Sequence, residues 1–124
     1  MEISLTKLKP KDIRPLRQQL LLEQNNLCAI CQEYLDPFEA VLDHCHTTGL
    51  IRCVLHRGCN MYIGALENNQ RRNLITPSRL SNILANFETY VKTHKPLTHP
   101  SHLTPEERII RSKKRAKKRR QKPK

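Results

Sequence analysis

The fold of this chain is decided by residues 28–60, CAICQEYLDPFEAVLDHCHTTGLIRCVLHRGCN. The stretch opens with a Cys-x-x-Cys pair, Cys28 and Cys31, and it closes with His56 and Cys59, which have the same two-residue gap. Thiolates and imidazoles at this spacing are typical ligands of tetrahedral structural zinc. The stretch therefore predicts a small domain that is held together by a zinc ion.

One position of the predicted zinc site has two candidate ligands. Cys28, Cys31 and Cys59 fit the pattern directly, whereas His56 competes with Cys53, which lies on the adjacent predicted strand. We favour His56 over Cys53 and predict four ligands: Cys28, Cys31, His56 and Cys59. The alternative, in which these side chains are only buried thiols, leaves little else to hold the segment together.

The composition also indicates a metal-stabilised domain. Only 37% of the 124 residues are hydrophobic, 4% are aromatic and Trp is absent, so a large core cannot be assembled. Five Cys, an odd number, with no visible signal peptide favour a metal over disulfides and predict an intracellular protein. The longest apolar run is far below the ~20 residues of a membrane span, so no membrane partner is expected.

The secondary structure predicted around the motifs is strand, turn, strand, helix. The strands are expected near 41–46 and 50–55 with a turn at 47–49, and a short helix at 60–67 precedes a polar break at 68–73. An amphipathic helix over 11–25, ended by Asn25 and Asn26, comes before this unit. The predicted fold class is small α+β: a zinc-stabilised core of two strands and a helix, flanked by further helices, with a basic C-terminal tail.

A further helix is predicted from Thr76-Pro77, an N-cap followed by Pro, to about residue 94. Its apolar residues lie along one stripe, either packing inside the chain or pairing with a second subunit. The stripe consists of Leu80, Ile83, Leu84, Phe87, Tyr90 and Val91. A possible homodimer is therefore one of the two expectations.

The run Asp43-His44-Cys45-His46 suits a hard cation and proton transfer better than structural zinc. Asp43 and Asn60 offer oxygen ligands for a catalytic Mg²⁺ or Mn²⁺ ion. His44 can take a proton from an attacking water near neutral pH. On a regular strand His44 and His46 share a face while Asp43 points the other way, unless the strand twists or bulges.

The charge of +12 is concentrated at the C-terminal end. Residues 108–124 contain eleven Lys and Arg and no acid, whereas the first 107 residues hold twelve basic and eleven acidic side chains. We predict a zinc-containing domain at 1–95 and, at 96–124, a linker with a tail that binds nucleic acid phosphates. The predicted contacts are Lys113, Lys114, Arg115, Lys117, Lys118, Arg119 and Arg120. This run is equally compatible with a nuclear import signal. A Thr104-Pro105 cap signature indicates that a helix can run into the tail.

The ordered combination of these motifs resembles the recombination endonuclease VII family, a branch of the ββα-metal (His-Me finger, HNH-like) nucleases. The resemblance implies a metal-dependent DNA endonuclease with His44 as general base, Asp43 and Asn60 on the catalytic ion, and His46 at the scissile phosphate. Arg52 or the tail would hold backbone phosphates. The family's usual Cys is replaced by His56, and a usual Gly after Arg52 is Cys53.

The resemblance further implies cleavage of branched DNA such as Holliday junctions by a dimer, in the cytoplasm of a bacterial or phage-infected cell. Two alternatives stay open: a nicking or homing-type endonuclease acting on linear duplex, and a non-catalytic zinc module that only binds nucleic acid. Cleavage that depends on a divalent metal distinguishes the second alternative from the first.

Overall fold

The computed structural model describes residues 5–123. These divide into two compact units, and the boundary along the chain lies between residues 81 and 82. The elements in chain order are four helices and two strands: α1 (Pro10–Glu23), β1 (Ala40–His44), β2 (Ile51–His56), α2 (Arg57–Arg72), α3 (Pro77–Lys92) and α4 (Pro105–Gln121). The predicted small α+β class and the strand, turn, strand, helix order are confirmed.

The first unit is built on an antiparallel hairpin of β1 and β2, and both α1 and α2 contact both strands. Its turn is closed by two backbone hydrogen bonds: Gly49 N–H donates to the Cys45 carbonyl at 2.7 Å, and Cys45 N–H donates to the Leu50 carbonyl at 2.8 Å. Gly49 has φ +78°, a conformation that costs glycine little. The turn predicted at 47–49 is therefore where the chain reverses.

Helix α1 ends at an asparagine pair, as predicted, since Asn25 and Asn26 both have left-handed backbone with φ of 56° and 61°. Asn tolerates this region better than most residues. The preceding Gln24 reaches β2: its side-chain nitrogen donates to the Val54 carbonyl at 2.8 Å, and its oxygen accepts from Val54 N–H at 2.9 Å. The end of α1 is thereby tied to the hairpin.

The core of the first unit is small, as the composition predicts. Its buried side chains are Leu21, Cys28, Leu35, Ala40, Val54 and Leu55. They come from α1, both strands and the intervening loop, with one predicted zinc ligand among them. Such a core needs an additional staple to be stable.

The largest error in the predicted boundaries is at the end of α2. Helix α2 does not end before a polar break at 68–73 but continues to Arg72, and its C-cap is Asn73. The segment contains Gln and Arg, which are good helix formers, and no Gly or Pro to interrupt them. Polar composition here marks the solvent side of a helix and not a loop.

The second unit contains most of α3 and all of α4, each of which begins at a predicted cap. Thr76 Oγ1 accepts from Arg79 N–H, and Thr104 Oγ1 accepts from Glu107 N–H at 3.2 Å. Pro77 and Pro105 occupy the first helical positions, where the missing N–H has no cost. Of the helices described, none is long and apolar enough to cross a membrane.

Candidate active site and metal centre

The four predicted zinc ligands lie together. The ligand atoms of Cys28, Cys31, His56 and Cys59 are all within 4.8 Å of one another. The two cysteines of the first pair follow α1, His56 ends β2, and Cys59 lies in the first turn of α2. Three sulfurs and one nitrogen are a donor set that tetrahedral zinc accepts, so the cluster could hold a zinc ion.

The orientation of His56 explains why it belongs to the cluster. Its Nε2 lies 2.8 Å from the Tyr34 carbonyl oxygen, which can only accept, so Nε2 must be the donor. In the neutral ring Nδ1 then carries the lone pair, and Nδ1 lies 3.3 Å from Cys31 Sγ and 3.8 Å from Cys59 Sγ. A hydrogen bond of this kind fixes the tautomer that a metal needs. The rival ligand Cys53 is not one of the four clustered residues.

The thiols of the cluster have unequal pKa values. Burial opposes ionisation of Cys28, but hydrogen bonds from the backbone N–H groups of Cys31, His56 and Ile30 lower its pKa to about 6. Burial raises the pKa of Cys59 to about 11, reinforced by hydrogen bonds with Cys31 and Cys28. The hydrogen bond to Cys28 raises the pKa of His56. The chemistry of the set suits a divalent cation, which would favour the thiolate at every sulfur.

The candidate catalytic residues occupy β1 and the turn that follows it. Asp43 is only 5% exposed, whereas His44 and His46 are exposed and their ring centroids are 5.1 Å apart. The hairpin has a bulge at this place: Leu42 faces Val54, but His44 faces Ile51. Its extra residue lies on β2, and Asp43 stays on the opposite side from the two imidazoles: the acid is buried and His44 and His46 are at the surface, as regular alternation along β1 predicts.

Asn60 lies in the first turn of α2, directly after Cys59, and is half-buried. This amide is therefore next in sequence to a residue of the cluster that could hold zinc. The oxygens of Asp43 and Asn60 are of the kind that Mg²⁺ and Mn²⁺ prefer, so the donor chemistry fits a hard divalent cation. Asp43 and Asn60 remain predicted ligands of that ion.

Arg52, predicted to contact DNA phosphates, makes two close ion pairs within the domain. Its Nε donates to Asp43 Oδ2 at 2.7 Å, and its Nη2 donates to Glu67 Oε1 at 2.8 Å. The hydrogen bonds with Glu67 and Asp43 raise the pKa of Arg52, and the bond with Glu67 has the larger effect. The hydrogen bond between Arg52 and Glu67 also lowers the pKa of Glu67. A phosphate contact by Arg52 stays a prediction.

Sequence reasoning missed Glu67. It lies on α2, 24 positions after Asp43, and nothing in its local pattern separates it from an ordinary solvent-facing helical acid. The signal that identifies it is a contact between elements, which only the folded hairpin and helix provide.

The basic tail is helical from Pro105 to Gln121, and its Lys and Arg side chains are exposed. Its first turn carries Glu106 and Glu107, and its last turn carries Lys118, Arg119 and Arg120. Acids at the start and bases at the end both interact favourably with the helix dipole. The predicted nucleic-acid contacts all lie on this one helix, α4.

Hairpin, helix and a Cys/His cluster that could hold zinc together form a small α+β domain. The family model for recombination endonuclease VII matches residues 6–80, more than half of the chain, and the chain belongs to this family. Membership implies a DNA endonuclease, a hydrolase of phosphodiester bonds, with DNA as its substrate. No curated protein matches the chain.

Proposed function

We propose that this protein is a divalent-metal-dependent endonuclease that cuts branched DNA such as four-way junctions. The observation that carries the proposal is that one hairpin–helix unit contains both a Cys/His cluster that could hold zinc and, on β1 and the turn after it, a buried acid and two exposed imidazoles. Membership in a family of recombination endonucleases supports branched DNA as the substrate class.

The proposed roles follow from position and chemistry. His44 is exposed at the end of β1, where it can accept a proton from an attacking water while substrate lies on the surface. His46, with its ring close to that of His44, contacts the scissile phosphate. Asp43 and Asn60 hold Mg²⁺ or Mn²⁺, which when bound supplies stabilisation of the charge on the phosphate and the leaving oxygen.

Paired cuts at a junction require two active sites, and α3 offers a surface for a second subunit. Its apolar stripe stays open to solvent in the single chain: Phe87 is 51% exposed, Ile83 and Val91 are each 44% exposed, and Tyr90 is 78% exposed. Apolar faces of this kind are commonly covered in oligomers, so we include a homodimer in the proposal.

The test is cleavage of a labelled four-way junction and a linear duplex of matched sequence by the zinc-loaded protein, with and without Mg²⁺. We expect paired incisions confined to the junction, none without added Mg²⁺, and a dimeric mass by sedimentation. Omitting Mg²⁺ is preferable to a strong chelator because a chelator would also remove zinc.

Other outcomes of this experiment point to other functions. Equal nicking of both substrates by a monomer would replace the junction enzyme with a nicking or homing-type endonuclease. DNA binding without cleavage in Mg²⁺ or Mn²⁺ would contradict the proposal and favour a zinc module that only binds nucleic acid.

We further propose that α4 supplies the sequence-independent part of DNA binding, which keeps the predicted division into a nuclease domain at 1–95 and a basic segment at 96–124. Replacing the seven predicted contacts at 113–120 by Gln should weaken binding by roughly 100-fold or more at low salt. It should also flatten the plot of log K against log salt by about 0.9 for each phosphate that the variant no longer neutralises. Fluorescence anisotropy across a salt series measures both quantities.

The matched control exchanges Lys for Arg and Arg for Lys at the same seven positions. It conserves the charge, and both residue types favour helix, so its affinity and salt slope should stay near those of the wild type. Unchanged binding by the Gln variant would show that α4 is incidental to DNA recognition.

A further inference from the structure

Three charged side chains form a row across the domain, one from each element of the hairpin–helix unit. Arg52 of β2 lies between Asp43 of β1 and Glu67 of α2. Both oxygens of the Asp43 carboxylate accept from it, Oδ2 from Nε at 2.7 Å and Oδ1 from Nη2 at 3.2 Å. A two-point contact between a planar guanidinium and a carboxylate fixes orientation as well as distance.

The bulge in the hairpin is what allows this contact. Between the pairs Leu42–Val54 and His44–Ile51, β1 contributes one residue, Asp43, whereas β2 contributes two, Arg52 and Cys53. An extra residue in one strand redirects the side chains beside it. Arg52 therefore reaches the acid on the neighbouring strand and the acid on α2 at the same time.

The charges of the row do not cancel. Asp43 and Arg52 alone would form a neutral pair, but Glu67, which accepts from Nη2 at 2.8 Å, adds a second negative charge. The row consequently carries one net negative charge. Asp43 is the buried member, and charge interactions are stronger where water is excluded.

We propose that Arg52 and Glu67 are positioning residues for Asp43: Arg52 clamps the carboxylate, and Glu67 offsets the positive charge of Arg52 so that the row keeps one net negative charge for a divalent cation. This inference rests on the proposed role of Asp43 as a cation ligand. It gives Glu67 an indirect function, exerted through the guanidinium and not through contact with the metal or the DNA.

The test measures Mn²⁺ binding to the zinc-loaded full chain by electron paramagnetic resonance of the free aqua ion, so the readout does not depend on cleavage. Glu67→Gln keeps an oxygen that can accept from Arg52 but leaves the row neutral. We expect its Mn²⁺ dissociation constant to rise roughly 10- to 100-fold, as for other residues that support a metal ligand.

The double variant Arg52→Gln/Glu67→Gln separates charge from geometry. It restores one net negative charge, so most of the Mn²⁺ affinity should return. It also lacks the clamp, so the rate of DNA cleavage at saturating Mn²⁺ should stay low. A merely structural tie between hairpin and helix predicts lower thermal stability in both variants with no such recovery of affinity.

Two matched variants complete the design. Glu88→Gln removes the same charge from an exposed pair with Lys92 on α3, and it should leave Mn²⁺ binding unchanged. Asp43→Asn should abolish binding; if it does not, the proposed role of Asp43 fails. If Asp43→Asn weakens binding but Glu67→Gln does not, the positioning role alone is overturned. The positioning role would also be overturned if Glu67→Gln and Arg52→Gln/Glu67→Gln bound Mn²⁺ equally weakly.

Discussion

His44→Ala is expected to reduce DNA cleavage by about 10²- to 10⁴-fold, the usual contribution of a general base. His44 is exposed at the end of β1 and is not one of the four clustered metal ligands, so its loss should leave the core and the zinc content intact. Single-turnover cleavage of a labelled junction in Mg²⁺ measures the rate, while metal analysis and circular dichroism measure zinc and fold.

His94→Ala provides the control, since this exposed histidine follows α3 and has no assigned role. It removes an imidazole from the same chain and should cleave as the wild type does. A His44→Ala protein that cleaves at the wild-type rate would reject the assigned base. A variant that loses activity together with its zinc would show that His44 acts on the fold and not on the reaction.

Cys28→Ser is expected to lose zinc and to unfold the first unit. Cys28 is fully buried at the centre of the small core and is one of the four ligand residues. A hydroxyl is a far poorer zinc ligand than a thiolate, and for small metal domains the free energy of metal binding is largely the free energy of folding. Zinc content by atomic absorption and a thermal melt followed by circular dichroism measure the two effects.

Cys53→Ser is the matched control for this prediction. It makes the same chemical change at a half-buried cysteine outside the cluster, so zinc content and a cooperative melt should be retained. Substitution of zinc by Co²⁺ adds an optical measure, because the visible absorption of the cobalt protein depends on how many thiolates bind it. A folded, zinc-loaded Cys28→Ser protein would refute the ligand assignment.

Much of this architecture could be predicted because its signals are local. The Cys-x-x-Cys spacing, Gly49 in the turn and the Thr-Pro caps of α3 and α4 each depend on a few neighbouring residues. Local signals fail where the role of a residue depends on contacts with residues far away along the chain. Choosing His56 over Cys53 depends on the Tyr34 carbonyl, which lies 22 positions away along the chain.

The surroundings of Asp43 were beyond local reasoning for the same reason. Sequence could say that Asp43 and the two imidazoles lie on opposite faces of a regular strand, but not that a bulge would form or that its extra residue would lie on β2. Glu67 is connected to Asp43 only through its hydrogen bond with Arg52. The length of α2 depends on how well the polar residues at its C-terminal end continue the helix.

The contact of Gln24 with Val54 bears on how the two-stranded sheet presents its outer edge to other chains. A two-stranded ribbon exposes unpaired backbone groups along its outer side, where another chain's strand can add and start aggregation. At Val54 the Gln24 amide, one donor and one acceptor in a planar group, imitates the peptide unit of an incoming strand and occupies that position. The residue that ends the helix thus occupies both backbone groups of Val54, which are then not available to a strand of another chain.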